Sequence, residues 1–133
     1  MTAETLKELD DFFRSMRQAF GSGDMKSLRS HYWTDKRFVN IDISGRVDRG
    51  WGPYEELMDQ EFRYMDSVEL QLKDLEVQAF DGRYAVAVAG YRLSQVDPGG
   101  HESTTEEVVS YSLATIKDSW RITQQHESPP QEA

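Results

Sequence analysis

The three histidines are the first residues to weigh for chemistry. His31, His101 and His126 fall on a predicted helix, a loop and a strand end, and no pair has a metal-ligand spacing such as His-x-x-x-His. No metal site is therefore expected. His126 could approach a pocket, although a hydrogen-bonded structural role fits it better. Ser110 and Ser112 share a strand face with Val108 and Ala114 and could put hydroxyls into a cavity, but nothing around them resembles a nucleophile elbow. Trp33, Trp51, Tyr54 and Phe62 could line an aromatic pocket for a planar ligand, while aromatics at helical spacing are more often plain core. Asp42 ends an alternating run three residues ahead of Gly45. A carboxylate enclosed by apolar residues has a raised pKa and can move a proton next to a carbonyl, whereas an aspartate here can also be a simple turn residue.

The elements that must position these side chains follow from periodicity. Leu6, Leu9, Phe13, Met16 and Phe20 predict a helix over 3–20, with Thr5 and Glu8 at capping-box spacing. Gly21-Ser22-Gly23 stops it, and Asp24 caps a second helix over 25–33 with Met25, Leu28, Tyr32 and Trp33 as its apolar stripe. Phe38 to Ile43 alternates like a half-buried strand, with Asn40 on the Asp42 face and therefore among the ligand-binding candidates. Arg46 to Arg49 is the return strand. Gly50-Trp51-Gly52-Pro53 introduces a third helix, proline suiting the first helical position. Segments near 67–79, 83–96, 104–117 and 119–126 read as strands separated by turn residues. Asp97-Pro98-Gly99-Gly100 is one of these turns rather than a phosphate loop, so nucleotide binding has no support.

A chain of 133 residues fits one domain. The expectation is a single domain over 1–128 with a frayed tail at 129–133. Twenty-four acidic against 15 basic side chains give a net charge of −9, which argues against nucleic acid and anionic membranes as partners. The N-terminus is unlike a signal peptide, and no apolar run is long enough to span a bilayer, so a soluble, cytoplasmic protein is expected. The absence of cysteine excludes disulfides, thiolate metal sites and a cysteine nucleophile. Nothing calls for a cofactor. Helices followed by a long meander predict an α+β domain: three N-terminal helices packed on a strongly curved, mostly antiparallel sheet, forming a cone with an internal pocket.

Several features in order resemble the SnoaL-like branch of the nuclear transport factor 2 superfamily. They are Gly21-Ser22-Gly23-Asp24 between helices, Tyr32-Trp33-Thr34-Asp35, the run Phe38 to Asp42 with Gly45 and Gly50, and Arg92-Leu93-Ser94-Gln95. The closing Trp120-Arg121-Ile122 with His126-Glu127-Ser128 is also similar to the association domain of calcium/calmodulin-dependent kinases. The resemblance implies the cone fold, usually an oligomer, and a pocket between helices and sheet, but no single reaction.

Asp42 is similar in position to the catalytic aspartate of ketosteroid isomerases, which makes it the candidate proton shuttle. The oxyanion donors of that family have no match: Met16 stands near the tyrosine position, and Tyr111 or Ser112 near the second acid. Arg92 resembles the pocket arginine of the kinase association domain and would hold an anionic ligand through two parallel hydrogen bonds; the alternative is a surface salt bridge. Three functions remain open. The first is binding of a small apolar or weakly acidic molecule. The second is an acid–base enzyme of cyclase, isomerase or dehydratase type using Asp42. The third is an assembly module. A homodimer through the back of the sheet is expected.

Overall fold

Thr2 starts the first helix, α1 (Ala3–Ser22), by accepting the Thr5 amide on its hydroxyl at 3.1 Å. This cap stands in place of the one expected at Thr5 and Glu8. In the computed structural model, residues 2–130 are described; Met1 and 131–133, the end of the predicted tail, lie outside the described residues. Leu9, Phe13, Met16 and Phe20 form the buried face of α1. Gly23, at φ +65°, ends it in the left-handed conformation that disfavours side chains.

Asp24 caps α2 (Met25–Arg29), which is shorter than the sequence suggests. The reason lies in the last strand: Trp33 donates to the Ile122 carbonyl at 2.9 Å and Ile122 donates to His31, so residues 31–33 leave the helix to pair with the sheet. The hairpin β1 (Val39–Ile41) and β2 (Val47–Arg49) follows. Gly50 then turns the chain at φ +92°, where a Cβ would stand 3.4 Å from the Lys36 carbonyl oxygen. Helix α3 (Trp51–Tyr64) begins two residues before Pro53, which still lies in the first turn, where no intrahelical acceptor is needed.

The second half forms β3 (Ser67–Phe80), β4 (Tyr84–Val96), β5 (Glu102–Ile116) and β6 (Ser119–Ser128). Six strands lie in the order β2-β1-β6-β5-β4-β3. All neighbours are antiparallel except β1 beside β6. This is the α+β architecture expected, with helices on one face of a curved, unclosed sheet. Two bulges help to bend it. One lies between Lys73 and Glu76, with Asp74 at φ +53°; the other inserts Thr123 into β6.

Alternation assigns each side chain to a face. Ala85, Ala87 and Ala89 point inward and are buried, as the small-residue face of β4 suggests. They lie between β3, against which α1 packs, and Tyr111 on β5, whose ring is 5.4 Å from that of Phe13. The closed end of the cone is filled by Tyr32, Phe38, Trp51 and Tyr54, with ring centroids 4.9–5.8 Å apart. No described helix is long and apolar enough to cross a membrane.

Candidate functional site

The aromatic cluster reaches the pocket of the cone through Tyr54. There a cavity of about 320 Å³ lies between the β1–β2 hairpin, α3 and the inner faces of β4, β5 and β6. Its size is that of a small-ligand site. Leu57 and Met58 of α3 and Leu93 of β4 form its apolar wall. The polar wall carries Asn40, Asp42, Arg46 and Asp48 from the hairpin, Tyr54 and Glu61 from α3, and Tyr91, Gln95, Glu107 and Glu127 from the long strands.

Gln125 organises the floor. Its side-chain carbonyl accepts the Tyr32 hydroxyl at 2.8 Å, and its amide donates to Tyr54 Oη at 3.1 Å and Asn40 Oδ1 at 3.2 Å. Asn40 passes a hydrogen bond to Asp48 at 3.1 Å, and Arg46 closes the chain on Asp48 at 3.1 Å and Asp42 at 3.0 Å. Such a network fixes its members in place, because each unmade bond in a buried site is costly. Gln95 likewise donates to Glu61.

Glu107 and Glu127 are different. Glu107 is only 7% exposed, and its Oε2 is buried with no hydrogen-bond partner among the described residues. Glu127 stands beside Glu107 on the cavity wall. Burial first, then the contact with Glu107 and the charges of Glu107 and Asp42, push the Glu127 carboxyl up to about 8, against a weaker opposing hydrogen bond from Gln125. The pair therefore holds a proton at neutral pH. Burial also pushes the Tyr54 and Tyr91 phenols up, so both are neutral donors.

Of the residues singled out in the sequence, Asn40, Asp42 and Tyr54 meet in this cavity. Asp42, however, does not have the raised pKa expected of it. Ser44 donates to it from its side chain, with further bonds from the Arg46 and Ser44 amides and the charge of Arg46. Together these outweigh partial burial and hold the carboxyl below its usual range. Trp33 instead lies beneath the Arg37 guanidinium at 4.6 Å, Trp51 belongs to the plug, and Phe62 packs edge-on against Phe20 at 5.8 Å. None of these three lines the cavity.

Arg92, Ser110, Ser112 and His126 stand on the outer face. Arg92 is paired across the strands with Glu106, its guanidinium 3.9 Å away and half-buried, while its neighbour Tyr91 points inward. The anion-binding arginine expected within the cone is therefore absent from it. Ser110 and Ser112 lie opposite Val88 and Val86, and His126 lies opposite Ser110. Among the described residues, no group of three or more histidine, aspartate or glutamate side chains is placed to hold a metal ion.

Glu107, Glu127 and Gln125 were not singled out by sequence reasoning. A signal existed for Glu107, since Glu107, Val109, Tyr111 and Leu113 alternate along β5, an acid in line with three core residues.

A cone of helices and curved sheet with a polar-floored pocket defines a class of protein, and sequence comparison gives the family. The SnoaL-like domain family model matches residues 9–132, and the chain belongs to that family. No curated protein matches it in sequence. Among solved structures, it is similar to a nuclear transport factor 2-like superfamily protein from Salmonella enterica serovar Typhimurium, at 19% identity and TM-score 0.87, covering 100% of this chain and 96% of that one. A protein from Streptomyces avermitilis, provisionally called a dehydratase of the same fold family, is 15% identical with TM-score 0.86, covering 99% and 100%. A provisionally assigned calcium/calmodulin dependent protein kinase II association domain from Xanthomonas campestris is 18% identical with TM-score 0.79, covering 95% and 88%. At these identities the likeness is one of fold.

Proposed function

We propose that this chain is a small-molecule-binding domain whose ligand occupies the cavity between α3 and the inner face of β4–β6. The observation that carries the reading is Glu107, a buried side chain of the cavity lining whose Oε2 has no hydrogen-bond partner among the described residues. A buried polar atom left unsatisfied costs about 1–3 kcal/mol, and a ligand donor removes that cost. Leu57, Met58 and Leu93 suit an apolar body, in line with the ligand expected from the sequence. A weakly acidic ligand loses its support, because Arg92 faces outward and the cavity wall is rich in carboxylates.

The test is a thermal-shift screen of small molecules against the natural chain and Leu57→Trp, which places a bulky ring at the cavity wall. A ligand present at a hundred times its Kd adds about 2.7 kcal/mol of stability. Compounds that stabilise the natural chain should lose their effect in Leu57→Trp. Equal stabilisation of both proteins would rule the cavity out.

Acid–base catalysis is the second reading, and it is favoured by Glu127 at the cavity wall, whose carboxyl is pushed up to about 8 by burial and the neighbouring Glu107. Tyr91, a neutral phenol of the cavity lining, would supply the oxyanion donor that Met16 cannot. In that case Glu127 rather than Asp42 shuttles the proton. Turnover that survives Glu127→Gln undiminished would end this reading.

Assembly rests on the outer face. Phe80, Tyr84, Val86 and Val88 are 40–63% exposed there, a strip that a second copy would cover.

A further inference from the structure

We propose that Glu107 and Glu127 form an ammonium-binding site, and that the ligand is a small primary amine with an apolar body. The inference rests on the cavity being a ligand site and names the class of ligand. Three observations carry it. Glu107 is more than nine-tenths buried and lines the cavity, and its Oε2 has no hydrogen-bond partner among the described residues. Glu127 stands on the neighbouring strand, paired with Val109 two positions from Glu107, so both carboxyl side chains belong to one part of the cavity wall. The single cation among the described lining residues, Arg46, is already held by Asp42 and Asp48.

An ammonium group fits these conditions because it brings three donors and one positive charge and needs no acceptor. It replaces the proton held by the pair, which leaves as binding occurs. Tyr54 and Tyr91, both neutral phenols, line the same cavity, and aromatic rings attract a cation. Leu57, Met58 and Leu93 then cover the hydrocarbon part. A carboxylate ligand would meet the acidic wall with no free cation. A neutral alcohol would satisfy Glu107 but gain nothing from the charge.

Charged and titratable groups surround Glu127 on the cavity lining. They are Glu107 on β5, Asp42 and Arg46 at the hairpin turn, Asp48 on β2, Tyr91 on β4, and Tyr54 and Glu61 on α3. Four of them are carboxylates. A single arriving positive charge is therefore favoured once the shared proton has gone.

The experiment is calorimetric titration of the full chain with cyclohexylmethylamine, cyclohexylmethanol and cyclohexanecarboxylate. These probes share one body and differ in head group. From about pH 6.5 to about pH 9 the aliphatic amine stays charged. At the upper end the amine should bind about 10-fold or more tighter than the alcohol, with the carboxylate weakest. Its association constant should rise about 10-fold per pH unit and level off above about 8, where Glu127 has lost its proton. Heats in two buffers of different ionisation enthalpy should show about one proton released per amine at pH 7 and none per alcohol.

Glu107→Gln and Glu127→Gln should each weaken the amine about 10-fold at pH 9 and flatten its pH dependence, because one carboxylate remains and no shared proton has to leave. The comparison of probes on the natural chain needs no variant, so it stands even if these substitutions impair folding. An alcohol that binds as tightly as the amine across the pH range would overturn the ammonium site while leaving the pocket as a ligand site. Loss of all three probes, together with a screen in which Leu57→Trp changes nothing, would overturn both.

Discussion

The Tyr32 hydroxyl donates to the Gln125 side chain at 2.8 Å across 93 positions of sequence, tying the end of the α2 segment to the last strand. Both residues are at least 97% buried, and Gln125 holds Tyr54 and Asn40 as well. Removing one side of such a bond leaves the other side unsatisfied in a dry environment. Gln125→Leu should therefore destabilise the fold by about 2–4 kcal/mol, and Tyr32→Phe by about 1–2 kcal/mol. Combined, the two should cost less than their sum, because each already breaks the same bond. Urea denaturation of the two single variants and the double variant checks this.

Glu127 makes stability depend on pH in a definite direction. Its folded pKa of about 8 lies above the ordinary value of 4.5, so between these values the folded chain binds more protons than the unfolded one. Its contribution is fully present below about pH 4.5 and is lost as pH rises through about 8. Glu127→Gln, which is neutral throughout, should be more stable than the natural chain at pH 9 by about 2–4 kcal/mol and differ little at pH 5. Denaturation midpoints at the two pH values measure it. A variant no more stable at the high pH would show that Glu127 is not protonated in the fold.

Asp42 behaves in the opposite sense. Its lowered pKa means that its hydrogen bonds to Ser44 and Arg46 hold the turn above its unfolded pKa, and that this support fades as pH falls through the lower folded value. Asp42→Asn should cost about 1 kcal/mol at pH 7 and less in acid. Melting curves of this variant across the acid range test the direction.

The turns and helix stops were legible because they depend on local residues: Asp24 caps, Gly23 ends a helix, and Asp81-Gly82 joins two strands. The face of each strand was harder, since it is set by phase. Arg92 and Glu106 look outward while Tyr91 and Glu107, one step away, look inward. β6 adds a bulge. Trp120 and Ile122 point inward, and simple alternation would carry Gln124 and His126 in with them. Thr123 is an extra residue, so the phase changes and Gln125 takes the inward position, with Glu127 at the cavity wall. That one residue explains why His126 was expected near the pocket and Glu127 was not. Asn40 and Tyr54 were easier to find, because the hairpin and α3 follow their patterns without interruption.

The outer face gives the last prediction. Val86 and Val88 are 44% and 40% exposed, and on the neighbouring strands they face Ser112 and Ser110, with Gln78 and Glu76 on the other side. With Phe80 and Tyr84 they make an apolar strip that water would otherwise cover, bordered by polar residues that could pair at the rim. A twofold dimer through this strip would bring Val88 close to its equivalent in the second copy, if the axis lies near the strand centre. Val88→Lys would then bury two like charges against each other, while in the monomer its ammonium would simply sit in water. The natural chain should sediment as a dimer at micromolar concentration, and Val88→Lys should sediment as a monomer with an unchanged circular dichroism spectrum. A natural chain that is already monomeric there would remove the case for this interface. A dimer that survives Val88→Lys would move the interface elsewhere on the surface.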